Sequence, residues 1–220
     1  MTLKGLQIQL GYSFKDQNLL ELALTHKSYS NSLNNERLEF LGDSILNSII
    51  SEYLFSKFTN QKEGLLTRMR AFLVKAETLT IKAEELSLEQ IIKLSKGTAN
   101  LSKDRKNSIL EGAFEAVIGA IFLDGGWDAS KEITLKAFSK NLEALSEDMS
   151  FKDPKTELQE LFQSRKIELP KYNLEDLGNS NFSCTVNYKD MIFKSSGTSK
   201  RIAQTNVAMQ LLAYMNQNND

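Results

Sequence analysis

The chain has 220 residues, a hydrophobic fraction of 41%, a charged fraction of 25% and a formal net charge of −1, values ordinary for a globular protein. So balanced a charge means that any nucleic-acid contact must be made by locally concentrated basic groups. The one cysteine, Cys184, excludes an internal disulfide and every cysteine-rich zinc site, and no apolar run approaches the roughly 18 residues needed to span a bilayer.

The N-terminus lacks the continuous apolar core of a signal peptide, so a cytoplasmic protein is expected. Both prolines, Pro154 and Pro170, lie in the last third. In the proline-free part, helical periodicity covers residues 19–29, 37–58, 65–86 and 108–126, each too long for a strand. A further helix is expected over 129–145, after a stop at Gly125-Gly126. Residues 1–147 therefore read as an all-α domain. The polar stretch 148–153 reads as a linker, within usual connection lengths. Asp153 as N-cap with Pro154 at the first helical position starts a helix over 154–164. A strand follows near 171–176. Next, "FSCTVNY" alternates Phe182, Cys184, Val186 and Tyr188 against Ser183, Thr185 and Asn187, which is strand periodicity. "MIFKSS" supplies another strand, and a helix closes the chain. Residues 154–220 thus read as an α+β domain in the order α-β-β-β-α.

The stretch "NNERLEFLGDS" places Glu36, Glu39 and Asp43 at spacings of three and four. Taking Glu36 as zero on a helical wheel, Glu39 falls near about 300° and Asp43 near about 340°, a sector of roughly 60°. Leu38, Leu41, Ile45 and Ile49 fall between about 140° and 220°, so the acids are expected on a face separate from the core. An acidic first turn favours the helix dipole, and a solvated face is the ordinary reading. Two features weigh against it. The stripe contains no lysine, and Gly42 sits inside the helix, where glycine costs about 1 kcal/mol relative to alanine. Such a glycine permits close approach by another backbone or a ligand.

A second pair, Glu111 and Glu115, lies at i, i+4 on a strongly apolar helix, with Gly112 and Gly119 alongside. A bare carboxylate there needs compensation by a cation. Oxygen ligands suit a hard divalent ion, which takes one or two carboxylates, waters and substrate phosphate oxygens. The residues thus point to a carboxylate metal site built by two helices, suited to phosphodiester hydrolysis.

The blocks "ALTHKSY", "NERLEFLGDSIL", "EGLLTRMRAFLVKAETL" and "EAVIGAIFLD" occur in the order found in bacterial ribonuclease III, which the chain resembles over essentially its whole length. The C-terminal part resembles that family's double-stranded RNA-binding domain. The resemblance implies a homodimeric, Mg²⁺-dependent endonuclease, with Mn²⁺ able to substitute. Its two active sites would lie in a valley across the dimer and cut opposite strands of double-stranded RNA, leaving two-nucleotide 3′ overhangs with 5′-phosphate and 3′-hydroxyl ends. By position, Glu39 and Asp43 would be acids of the metal centre and Glu115 the essential metal-ligating glutamate. Glu36 would belong to the valley, Glu63 would lie near the dimer cleft, and Phe40 would pack across the dimer interface. The chain departs from the family where an aspartate usually stands three residues before the essential glutamate. Gly112 holds that position, and an acid appears at Glu111 instead. Three outcomes fit: Glu111 substitutes, a water fills the position, or activity is impaired. The other acids favour retained catalysis over a non-catalytic RNA-binding protein of the same fold, because like charges lining an RNA groove weaken phosphate binding unless metal neutralises them.

At the C-terminal end, Lys194, Ser199, Lys200 and Arg201 gather at and before the last helix, whose N-terminus offers N–H groups to phosphate. Thr156, Glu157 and Gln163 on the first helix of that domain match the family's minor-groove contacts. The loop "LGNSNFS" is shorter than the family's and lacks its Pro and His. His26 reads as a structural histidine within a helix. Arg68 and Arg70 read as either phosphate ligands or partners of nearby acids.

Overall fold

The structure is a computed structural model that describes residues 1–146, 151 and 153–217, with backbone only at 99 and 100. The chain divides into two compact units, Met1–Met149 and Ser150–Asp220. The linker expected at 148–153 falls largely outside the described residues.

The first unit is helical. Helix α1 (Leu3–Leu10) is capped by Thr2, whose hydroxyl accepts the Gly5 N–H at 3.1 Å, and it ends on Gly11 with φ 74°. It was not among the expected elements. Helix α2 (Gln17–Ala23) is capped by Asp16. It stops well before residue 29, because Thr25 and Lys93 form a parallel bridge. The Lys93 N–H donates to the Leu24 carbonyl at 2.7 Å, and the His26 N–H donates to the Lys93 carbonyl at 3.2 Å. A distant strand-like segment thus takes over groups that a longer helix would have used. His26 therefore lies in a turn, not a helix. Its Nδ1 accepts the Ser28 N–H at 3.1 Å and lies 2.9 Å from the Ser28 hydroxyl, which is a structural role.

Helix α3 (Glu36–Lys57) follows. The single helix expected over 65–86 is two, α4 (Glu63–Leu73) and α5 (Ala76–Glu85), because Lys75 is extended at ψ 154°. No glycine or proline marks that break. The pivot buries Met69 and Leu73 of one helix together with Leu79 and Ala83 of the other. Helix α6 (Lys103–Ala137) is buried almost continuously from Gly112 to Ile121. The glycine pair ends its first part as expected: Gly126 is non-helical (φ 80°, ψ −169°), so the span is two helices joined across a kink, and the short α7 (Ser139–Glu143) follows. Helices α2, α3 and α5 pack around α6.

The contact between α3 and α6 is unusually close. A Cβ at Gly42 would lie 1.8 Å from the Glu115 carbonyl oxygen, and one at Gly119 would lie 2.3 Å from the Leu38 carbonyl oxygen. Only glycine lets the two backbones meet this way. This contact also corrects the expected core face. The buried residues of α3 are Leu38, Gly42, Leu46, Ile49, Ile50 and Leu54, which span about 200° to 360° on the same wheel. Leu41 and Ile45 are only half-buried. The α6 partner sits on the glycine side, so Glu39 and Asp43 lie within or beside the packed arc rather than opposite it. The far side of α3 leaves Phe40 79% and Phe55 74% exposed.

The second unit has helix α8 (Pro154–Ser164), strands β1 (Asn173–Gly178), β2 (Asn181–Tyr188) and β3 (Met191–Gly197), and helix α9 (Lys200–Gln217). The sheet is antiparallel in the order β1-β2-β3. Asp153 caps α8 and Pro154 opens it. The inward row Cys184, Val186 and Tyr188 packs with Leu158, Phe162, Ala203, Val207 and Ala208. Ser183 on the opposite row is also buried.

Candidate active site

The glycine contact determines which acids meet. It lays the first two turns of α3 along the part of α6 that carries Glu111 and Glu115. The Glu39 carboxylate lies over Gly112: a Cβ there would be 2.7 Å from Glu39 Oε2. Glu39, Asp43, Glu111 and Glu115 therefore share one electrostatic neighbourhood. Glu115 is 9% exposed, and burial together with the charges of Asp43, Glu111 and Glu39 pushes its carboxyl up to about 8. Burial, then Glu39, Glu77 and Asp43, raise Glu111. Burial and Glu36 raise Glu39, against a small opposing pull from Lys27. These carboxyl groups are held where ionisation is unfavourable unless a cation joins them.

Among the described residues no three such side chains are already gathered into an ion-holding set. Asp43 instead accepts from Asn47 Nδ2 at 2.7 Å. The donor chemistry, carboxylate oxygens with neither histidine nor cysteine, is that of a hard divalent cation.

Glu36 stands at the exposed edge, where Lys27 bridges it at 2.8 Å. The acidic stripe is thus not free of lysine, since the turn after α2 supplies one. Glu63 opens α4 and accepts from Thr67 at 2.9 Å. It lies away from the four clustered acids, on a cleft of about 500 Å³ shared with Phe55, Leu66 and Arg70. Arg70 donates to Ser51 at 2.9 Å, and Arg68 keeps a buried Nε without a partner among the described residues. Sequence reasoning missed three participants. Asn47 was legible as the i+4 neighbour of Asp43. Lys27 and Glu77 were not, because they arrive from other elements.

In the second unit the structure brings the basic groups to one end of α9. The Ser199 hydroxyl accepts the Ile202 N–H at 3.2 Å. Lys200 and Arg201 are exposed in the first turn, and the Lys200 ammonium lies over the Phe182 ring at 5.9 Å. Lys194 on β3 faces Glu175 at 4.0 Å across the sheet, an exposed pair of small energetic weight. Thr156 and Gln163 on α8 are exposed and Glu157 is half-buried. The β1–β2 connection is a two-residue turn with Asn179 (φ 51°) and Ser180 (φ 57°) both left-handed, next to a bulge. That is a tight hairpin, with little reach beyond the sheet.

The family model described as Ribonuclease-III-like matches residues 16–142, and the one described as Double-stranded RNA binding motif matches residues 154–215. Ribonuclease 3 of Pseudomonas syringae pv. syringae is 43% identical over 210 residues, covering 93% of this chain and 91% of that protein. Ribonuclease 3 of Alcanivorax borkumensis is 42% identical, covering 99% and 98%. The nuclease domain of ribonuclease III from Campylobacter jejuni, solved in work on a region involved in dimer formation, superposes with a TM-score of 0.62 at 45% identity. It covers 64% of this chain and 99% of its own.

Proposed function

The chain belongs to the ribonuclease III family, and from that premise we propose how its own residues cleave RNA. It is a double-strand-specific endoribonuclease, and its reaction depends on a divalent metal ion. The observation that carries the assignment of residues is Glu115. It is a buried carboxyl pressed by three others, and burial and those carboxylates are all that shift it.

We assign Glu39, Asp43, Glu111 and Glu115 to the metal centre and Mg²⁺ to the site, with Mn²⁺ able to replace it. When bound, the ion supplies Lewis-acid activation of water and charge neutralisation at the scissile phosphate. Glu115, fixed on the buried turn of α6, is the anchoring ligand. Asp43 approaches from α3, with Asn47 orienting its carboxylate. Glu111 stands in for the family aspartate. Glu36, held by Lys27, lines the RNA-facing edge. Hydrolysis at this site breaks the P–O3′ bond and leaves 5′-phosphate and 3′-hydroxyl ends.

We further propose a homodimer joined through the exposed Phe40 side of α3, with Glu63 at the cleft between copies. Cuts on opposite strands would then leave two-nucleotide 3′ overhangs. The RNA-binding unit, spanning 154–220, holds the duplex by its A-form shape and phosphates. Lys200, Arg201, Ser199 and Lys194 act at one end, and Thr156, Glu157 and Gln163 on α8. The nuclease unit spans 1–147. Family membership supports processing of ribosomal RNA precursors and other structured transcripts in the cytoplasm. Among the described residues no helix is long and apolar enough to cross a membrane.

The test incubates a long RNA duplex with the protein, with and without Mg²⁺. Short duplex products are expected only with metal, and Glu115→Gln is expected to bind the duplex and leave it intact. If that variant cuts normally in Mg²⁺, the assignment of the centre is wrong. A shifted complex that never yields products would favour a binding protein.

A further inference from the structure

Lys155 stands in the first turn of α8 beside the exposed Thr156, yet it is half-buried. Its backbone N–H donates to the Asp153 cap at 3.0 Å. Its ammonium donates to Gln204 Oε1 on α9 at 2.9 Å and lies over the ring of Tyr172, just ahead of β1, at 4.8 Å. Its charge is also felt at Cys184 on β2, where burial raises the thiol and Lys155 opposes the rise. One side chain thus ties α8 to α9 and to the start of the sheet. A half-buried cation is usually held by an opposite charge. Here an amide and a ring hold it, which points to a use for its geometry. The Tyr172 hydroxyl is buried without a partner among the described residues, so the ring face, not the phenol, is what that position supplies.

Leu158, Phe162, Val207, Ala208 and Leu211 bury apolar surface where the two helices meet the sheet, and such burial is non-directional. A charge-assisted hydrogen bond has a set geometry. This one stands at the end of the helix pair that carries the RNA-facing groups. Lys155 precedes Thr156 and Glu157, and Gln204 lies one turn beyond Lys200. We propose that Lys155 is a positioning residue for duplex RNA: its ammonium, held between Gln204 and Tyr172, fixes α8 against α9, so that Thr156 and Glu157 keep a set distance from Lys200 and Arg201. The inference rests on the RNA-binding role assigned above to this unit. A duplex presents its minor groove and phosphates at A-form spacing. A domain whose two contact sets slide is competent only part of the time, and its apparent affinity falls by that fraction. Lys155 itself touches no phosphate.

The test measures binding of a labelled RNA duplex to the full chain in EDTA, by fluorescence anisotropy over a series of salt concentrations. Lys155→Met keeps the stem and removes the ammonium. It should bind roughly 3- to 10-fold more weakly, the competent fraction falling by the net weight of one hydrogen bond. The slope of log affinity against log salt should stay as in the wild type, whereas loss of a lysine on phosphate lowers it by about 1. Gln204→Leu should weaken binding by a similar factor and the double variant no further, because the same bond is lost in all three. Tyr172→Phe should bind as wild type. Wild-type affinity in Lys155→Met, a slope lower by about 1, losses that multiply in the double variant, or weaker binding by Tyr172→Phe would each overturn the proposal. If Lys155→Met does not fold by circular dichroism, Gln204→Leu decides: a loss at constant slope supports the proposal and wild-type affinity overturns it. Lys200→Ala with Arg201→Ala separates the levels. If that pair weakens binding while Lys155→Met does not, only the positioning role falls. If neither does, the RNA-binding role of this end of the unit falls as well.

Discussion

Replacing Glu115 by glutamine keeps the side chain's size and removes its charge, and the structure makes that change stabilising in the absence of metal. The carboxyl titrates at about 8 in the folded protein against 4.5 for a free one. Below the lower value it is protonated in both states and costs nothing. As pH rises, the unfolded chain releases the proton while the folded chain must keep it or ionise in place. The penalty therefore grows from the unfolded value upward and is complete above about pH 8. Its ceiling is about 5 kcal/mol, and water at the cleft mouth screens it to about 1–3 kcal/mol. Urea unfolding in EDTA, at fixed protein concentration and followed by Trp127 fluorescence, measures it. Near about pH 8 the variant's midpoint should exceed wild type by about 1 M, and near about pH 5 the two should converge. Added Mn²⁺ should raise the wild type more than the variant. A gap that is the same at both pH values, or absent at the higher one, would refute the reasoning that places Glu115 among uncompensated acids.

Gly42→Ala pushes a methyl group into the Glu115 carbonyl, 1.8 Å away in backbone that cannot rotate aside. It should destabilise the nuclease unit by about 3 kcal/mol or more, read as a lower thermal midpoint, and abolish cleavage by parting α3 from α6. Phe40→Asp, at a 79% exposed position, should leave the monomer folded by circular dichroism. Sedimentation should show it shifted from dimer to monomer, and a dimeric variant would exclude Phe40 from the interface. Lys200→Ala with Arg201→Ala should weaken duplex RNA binding equally across sequences and lower the slope of log affinity against log salt by about 2. An unchanged slope would remove both side chains from the phosphate contact.

Much of the fold was legible because the relevant signals are local. Asp153-Pro154 fixed the start of α8, and the alternation from Phe182 to Tyr188 fixed β2. The glycines inside apolar helices marked a close approach, which proved to be between two backbones. The break at Gly126 was legible from its glycine pair, but two others were not. Helix α2 ends at Ala23 because Lys93, far along the chain, takes the Leu24 carbonyl. Helices α4 and α5 separate at Lys75 with no breaker residue, because the pivot lets both bury their apolar faces.

By itself the sequence determined the inventory: five carboxylates on two helices, glycines spaced among them, basic groups at the start of the last helix. It did so because residue type and angular position on one element depend only on near neighbours. The tertiary structure decided which side of α3 meets α6. That choice moved Glu39 and Asp43 from an expected outer face to the edge of the core, brought Lys27 to Glu36, and laid Glu39 over Gly112. A helical wheel gives angles about one axis, whereas the distance between side chains on two helices depends on how deeply their surfaces interlock. At Gly42 and Gly119 that depth leaves no room for a Cβ.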